Sequence, residues 1–279
     1  MSRYIRFDWA IKRLLRDKVN FVVLEGFLSS LLEKEIRILH ILESESNRRH
    51  QDDKQNRVDL LAEDSQGSKF IIEVQNENET AYFQRVLFGT SNLVTEYMQK
   101  GQGYNEVQKI YSINIVYFDL GDGDDYIYHG TTEFRGKHTN SLLNLSPFQR
   151  QKFGTDTVSS LFPEYYILKV NDFNKIAATP IEEWLDFLKN DTIAENPKAP
   201  GLAEAKEIMR YDRMSREEQK QYDKHIDNIV VLRDNIETAR GEGLMEGRAE
   251  GRAEEKKLLA EKMRAMGFDE ETIAKLTAD

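Results

Sequence analysis

Between Arg57 and Gln75 the chain reads RVDLLAEDSQGSKFIIEVQ, and the two-residue alternation of its side chains about a central turn reads as two β-strands joined by a tight turn. Val58, Leu60 and Ala62 alternate with Asp59, Leu61 and Glu63, and Phe70, Ile72 and Val74 alternate with Ile71, Glu73 and Gln75. Ser65-Gln66-Gly67-Ser68 between them supplies the turn chemistry. Successive side chains on a strand point to opposite faces, so each strand buries one row, and Glu73 and Gln75 project together beside Ile71. A turn centred on Gln66 and Gly67 sets Asp59 across from residues 73 to 74, which gathers two carboxylates and a carboxamide.

Two carboxylates at that range repel unless a cation or a proton lies between them. Hard oxygen donors suit Mg²⁺ or Mn²⁺, and a divalent ion so held is suited to phosphodiester hydrolysis. The same spacing is met by a solvent-facing hairpin that happens to carry acids, and only the rest of the chain separates the two readings.

With 279 residues, 39% hydrophobic and 32% charged, the chain suits a soluble protein whose core occupies part of its length. It has no cysteine, which excludes disulfides, thiol catalysis and cysteine-ligated zinc. No stretch approaches a membrane span, and MSRYIRFDWAIKRLLRDK lacks the apolar run of a signal peptide, so a cytoplasmic location is expected. A net charge of −10 argues against a uniformly basic nucleic-acid binder. Local basic surface remains: six Lys or Arg fall within residues 1–20.

Helical spacing of Phe7, Ile11, Leu14 and Leu15 predicts an amphipathic helix over Phe7–Arg16, with Asp8 and Lys12 one turn apart. A second helix is expected from Asn20 to Leu32, and IRILHIL (36–42) reads as a strand whose His40 is expected to be a partly buried structural residue. Ser44–Asn56 reads as a charged loop. Thr80–Lys100 predicts a long helix with Gln84 and Arg85 in its first turns, where Arg85 either reaches a phosphate, steadies a carboxylate or is a plain surface arginine. Residues 107–120, VQKIYSINIVYFDL, carry the near-continuous apolar run of a central strand covered on both faces. GDGDD (121–125) lacks the closing Glu of a Ca²⁺ loop and reads as a turn; His129 and His138 are not a metal pair. Strands are expected over 126–134 and 165–170, with an irregular stretch over 148–162.

Composition changes near Thr179-Pro180, and three regions are expected: 1–180, a helical extension over 181–240, and a Gly/Glu/Arg-repeat connector with a short helical tail over 241–279. IEEWLDFLKN is amphipathic, and the sparse apolar positions beyond residue 201 call for a partner, a second copy included. In GLMEGRAEGRAEEKK, glycine destabilises a helix by about 1 kcal/mol at each occurrence, which predicts a semi-flexible connector.

The order helix, strand, acidic hairpin, helix, central strand resembles the core of the PD-(D/E)XK nuclease superfamily. More narrowly, the chain resembles the Rpn family of recombination-promoting nucleases and transposases. The pieces that carry this are Asp8 to Lys12, RVDLLAEDSQGSKFIIEVQ, the Arg85 helix ending in MQKGQGY, YSINIVYFDL and the EGRAEGRAEE tail. The resemblance implies an α/β, restriction-endonuclease-like core, a mixed central sheet flanked by helices, with a helical C-terminal extension. It implies a Mg²⁺- (or Mn²⁺-) dependent DNA endonuclease linked to recombination or mobile elements. Asp59 and Glu73 would hold the metal, Gln75 would stand where the superfamily has a lysine, Asp8 would be the auxiliary acid, and Lys12 and Arg85 would contact DNA. Glutamine offers a dipole where lysine offers a full charge, so stabilisation of the transition state must lean on the metal or on Arg85. Two other readings stay open: a degenerate nuclease fold that binds nucleic acid without cutting, and an interaction protein acting through its helical tail.

Overall fold

The computed structural model describes residues 4–13, 17–42, 59–98 and 101–277, excluding the side chains of Lys12 and Arg13. The expected Ser44–Asn56 loop, Leu14–Arg16 and the first two hairpin residues, Arg57 and Val58, lie outside the described residues. Two compact units divide between Tyr222 and Asp223.

In the first unit, α1 (Phe7–Arg13) and α2 (Phe21–Leu32) precede a six-stranded mixed sheet in the order β1-β2-β3-β4-β6-β5. Its strands are β1 (Ile38–Leu42), β2 (Leu60–Asp64), β3 (Lys69–Gln75), β4 (Ile110–Val116), β5 (Ile127–Gly130) and β6 (Glu164–Lys169). β1, β2 and β3 pair antiparallel, β3, β4 and β6 pair parallel, and β5 closes the far edge antiparallel. Every residue of β4 is buried, as its apolar run requires of a strand covered on both faces.

The hairpin forms because its turn is locally satisfied. Asp64 Oδ1 accepts hydrogen bonds from the backbone N–H of Gln66 (2.9 Å) and Ser68 (2.8 Å), and Gly67 takes a φ of 82° that an L side chain resists. Its register pairs Leu60 with Ile72 and Leu61 with Ile71. One row of β3 (Ile71) packs with Leu61, Leu93 and Ile110 under α3 (Tyr82–Glu96). At the start of α3, Tyr82 and Val86 pack on Val116. On the other row, Phe70 stacks on Tyr111 at 5.1 Å.

After α4 (Pro147–Phe153), α5 (Pro180–Asn190) and α6 (Leu202–Ile208) belong to this unit and pack on α2. Trp184 of α5 lies within ring-contact distance of Phe7 (6.1 Å) and Phe27 (5.6 Å), fully buried. A Cβ on Gly26 would sit 2.2 Å from the Pro200 carbonyl oxygen, so this close approach of α2 to the chain before α6 admits only glycine.

The structure corrects three expectations. Within 148–162 the chain forms α4, because Ser146 and Gln149 make a capping box, Pro147 occupies the first turn and Gly154 (φ 65°) ends it. His40 is exposed, because an irregularity in the pairing between Ile38 and His40 breaks the alternation on edge strand β1. The glycine repeat is helical: α7 (Arg216–Ala265) runs through Gly241, Gly243, Gly247 and Gly251. The Ala, Arg, Glu and Lys between those glycines are strong helix formers and no proline interrupts them. In the second unit α7 is followed by Gly267 (φ 87°) and α8 (Glu270–Thr277), capped by Asp269, whose Oδ1 accepts from Thr272 N–H at 2.9 Å. No helix among the described residues is long and apolar enough to cross a membrane.

Candidate functional site

The site is built on the row of β3 that carries Glu73. One step beyond the Leu60–Ile72 pair sets Asp59 opposite Glu73, and Asp59 Oδ2 accepts the Val74 N–H at 2.7 Å, which locks the two carboxylates side by side. β2 and β4 flank Glu73 and α3 begins beside it, so its side chain is only 7% exposed. Its Oε2 is buried without a hydrogen-bond partner among the described residues. The nearest opposite charge among the described residues is the Arg85 guanidinium, whose Nη2 lies 3.5 Å away, an ion-pair contact without hydrogen-bond geometry. Arg85 instead donates from Nη1 to Glu79 at 2.9 Å.

Burial pushes the Glu73 carboxyl up to about 7, with the charges of Asp59 and Glu79 adding to the rise and Arg85 opposing it. Its surroundings favour the protonated carboxyl, and a cation would favour the ionised form. Tyr82 at the start of α3 is fully buried, donates to Asn114 Oδ1 at 3.3 Å, and is held above the ordinary phenol range first by burial and then by Glu73. Asn114 is the β4 residue paired with Glu73, and its Nδ2 donates to Ser112 O, Ser112 Oγ and Tyr166 O. Gln75 ends β3 on the same row as Glu73, half-exposed, its carbonyl accepting from Tyr117 N–H at 3.0 Å.

Asp8 is buried in α1 and bound elsewhere. It accepts from Arg6 Nε (3.2 Å), Trp9 N–H (2.8 Å) and Asn76 Nδ2 (3.1 Å). Arg6 in turn donates to Asn76 Oδ1 and lies 4.9 Å over the Tyr117 ring. Among the described residues the charges that act on Glu73 are those of Arg85, Asp59 and Glu79, and Asp8 reaches the end of β3 through Asn76. The Lys12 side chain lies outside the described residues. His129 faces Glu164 at 3.0 Å and stacks on Tyr166.

Asn114 and Glu79 escaped the sequence reading. Asn114 carried a usable signal, an amide side chain inside a mostly apolar central strand; Glu79 carried none, because its value depends on where α3 places Arg85. No group of three or more His, Cys, Asp or Glu among the described residues is arranged to hold a metal ion. Asp59 and Glu73 nevertheless fit one: two hard oxygen donors, one of them with an orphaned buried oxygen, suit a Mg²⁺-like ion that retains several waters. A cavity of about 240 Å³ between Lys34 and Gln66 sits at the turn end of the hairpin, remote from Glu73.

A mixed sheet whose acidic hairpin feeds a parallel central strand, with helices on its faces, defines the α/β fold class of the PD-(D/E)XK nucleases. A family model described as PD-(D/E)XK nuclease family transposase matches residues 5–239, and the chain belongs to that family. The resemblance drawn from the sequence therefore holds, and with it a nuclease-like function, a nucleic-acid substrate and a family that usually uses divalent metals. No curated protein and no solved structure matches the chain.

Proposed function

We propose that this protein is a Mg²⁺- or Mn²⁺-dependent DNA endonuclease, acting in recombination or mobile-element processing in the reducing cytoplasm that a cysteine-free chain suits. The observation that carries this reading is the orphaned buried Oε2 of Glu73 beside Asp59, with the Glu73 carboxyl raised to about 7. Buried polar groups are almost always hydrogen-bonded, so an exception beside a second carboxylate marks a place for a cation.

In this mechanism Asp59 and Glu73 would hold the divalent ion, which when bound would lower the pKa of water and neutralise phosphate charge. Asp59 is fixed by the Val74 N–H, so it enters the reaction already oriented. Gln75, on the same row and half-exposed, orients the attacking water through its carboxamide. Arg85 and Lys12 provide positive charge toward the DNA phosphates. Asp8 contributes as a positioning residue, fixing Asn76 next to Gln75 through a hydrogen bond. The exposed Val230, Val231 and Ile236 of α7 support self-association through the C-terminal helices.

The test is plasmid nicking with Mg²⁺ against EDTA. Asp59→Ala abolishes Mg²⁺-dependent cleavage; undiminished nicking by that variant removes the site assignment. An intact plasmid that still shifts on a gel assigns the chain to nucleic-acid binding without cleavage, the outcome that the Gln75 dipole in place of a lysine charge would explain.

A further inference from the structure

We propose that Arg85 is the resident counter-cation of the Asp59–Glu73 pair and that Glu79 is the residue that positions it, so that an arriving divalent ion takes over Glu73 while Arg85 keeps Glu79 as its partner. This rests on the reading of Asp59 and Glu73 as a metal site.

The geometry divides the two ends of one guanidinium between two acids. Nη1 donates to Glu79 Oε2 at 2.9 Å, whereas Nη2 stands 3.5 Å from Glu73 Oε2, too poorly aligned to leave that oxygen satisfied. Glu73 therefore receives the charge of Arg85 but no hydrogen bond from it, and a lone pair stays open. The backbone fixes both ends of this arrangement. Arg85 N–H bonds to Ala81 O in the first turn of α3, and the Glu79 carbonyl accepts from Tyr82 N–H at 3.1 Å.

Exposure grades outward along the same line. The side chains of Glu73, Arg85 and Glu79 are 7%, 32% and 38% exposed, so the guanidinium reaches inward from a half-solvated anchor. Among the described residues, Arg85 is the cation whose field favours the ionised form of Glu73. A metal ion and Arg85 consequently compete for one carboxylate, and Glu79 determines how strongly Arg85 competes. A planar fork can hold two carboxylates at once, which a single ammonium point charge does less well. With Glu79 neutralised, the Arg85 fork turns its hydrogen bonds to Glu73 and closes the open lone pair.

The experiment is a Mn²⁺ titration of the full chain by isothermal calorimetry, without DNA. Its four proteins are wild type, Arg85→Gln, Glu79→Gln and the double variant, with circular dichroism confirming that each is folded. Loss of a competing, partly exposed charge tightens Mn²⁺ binding about fivefold in Arg85→Gln, and loss of the anchor weakens it by a similar factor in Glu79→Gln. In the Arg85→Gln background, Glu79→Gln then has no further effect. Misfolding cannot produce tightening, so the direction of the Arg85→Gln change separates the proposal from structural damage. Unchanged or weaker binding by Arg85→Gln overturns it. An equal Glu79→Gln effect in both backgrounds also overturns it, because Glu79 would then act through its own charge. As a second variant, Arg85→Lys keeps the competing charge and stays close to wild-type affinity; tightening equal to that of Arg85→Gln removes the electrostatic explanation. Asp59→Asn distinguishes the two levels of inference: if it leaves Mn²⁺ binding intact, the metal site itself fails and this proposal with it. If it abolishes binding while Arg85→Gln changes nothing, the counter-cation role alone fails.

Discussion

Glu73→Gln keeps the shape of a buried side chain and removes a proton equilibrium from it, so its effect on stability must depend on pH in a direction the structure specifies. In the folded protein the Glu73 carboxyl is raised from 4.5 to about 7, chiefly by burial. The native state therefore holds this proton more tightly than the unfolded chain, and stability contributed by this group is greatest below pH 4.5, falls as pH rises, and levels off above about 7. At about 1.4 kcal/mol per decade, the ionised carboxylate disfavours the metal-free fold by roughly 3 kcal/mol on the alkaline side. The side chain is nearly enclosed, so solvent screening removes little of this. Urea denaturation in EDTA, followed by tryptophan fluorescence, isolates the effect, because Trp9 and Trp184 are both buried in the first unit. Glu73→Gln is expected to match wild type near pH 4 and to exceed it by roughly 2–4 kcal/mol near pH 8.5. Equal stability at the higher pH, or a difference that does not change with pH, refutes the assignment of Glu73 as a strained, desolvated carboxyl. Under the metal reading, Mn²⁺ at about 100 times its Kd stabilises wild type by about 2.7 kcal/mol and Glu73→Gln by much less.

Three further outcomes follow from other parts of the chain. Gln75→Ala lowers the Mg²⁺-dependent cleavage rate about 100-fold by removing the carboxamide that orients the attacking water, measured by single-turnover nicking; an unchanged rate removes Gln75 from the mechanism. Asp8→Ala strands the buried Arg6 guanidinium, leaving Asp191 at 3.9 Å as the close acid among the described residues, and destabilises the first unit by about 3 kcal/mol in urea titrations. An Asp8→Ala protein of wild-type stability would show that the Arg6–Asp8–Asn76 cluster is not structural. In α7, Gly243→Ala, Gly247→Ala and Gly251→Ala each raise helix stability by about 1 kcal/mol, since a Cβ at each meets no heavy atom within 4 Å. Thermal melts by far-ultraviolet circular dichroism that leave helicity unmoved would contradict a helix through this repeat.

The acidic hairpin was legible because its determinants are local. Alternation set the two rows of β3, and the Ser65–Ser68 turn chemistry set the register that brings Asp59 opposite Glu73. The same holds for α3 and for β4, whose period and apolar run mark a covered helix and a central strand. The glycine repeat was misjudged at the same local level, where the strong helix formers between the glycines outweigh the glycine cost.

Tertiary structure alone decided what the acids experience. Glu73 is desolvated because β2, β4 and α3 converge on it, and burial sums contacts from segments that no short window contains. Asp8 meets Asn76 across 68 positions of chain, so the acid that helical spacing sets one turn from Lys12 is a buried clamp with Arg6. Glu79 matters only because α3 presents Arg85 between it and Glu73. Sequence periodicity specifies which face a side chain takes, since the backbone repeat is fixed by sterics. The dielectric, the missing hydrogen bond and the competing cation around Glu73 arise from the long-range packing of the sheet against its helices.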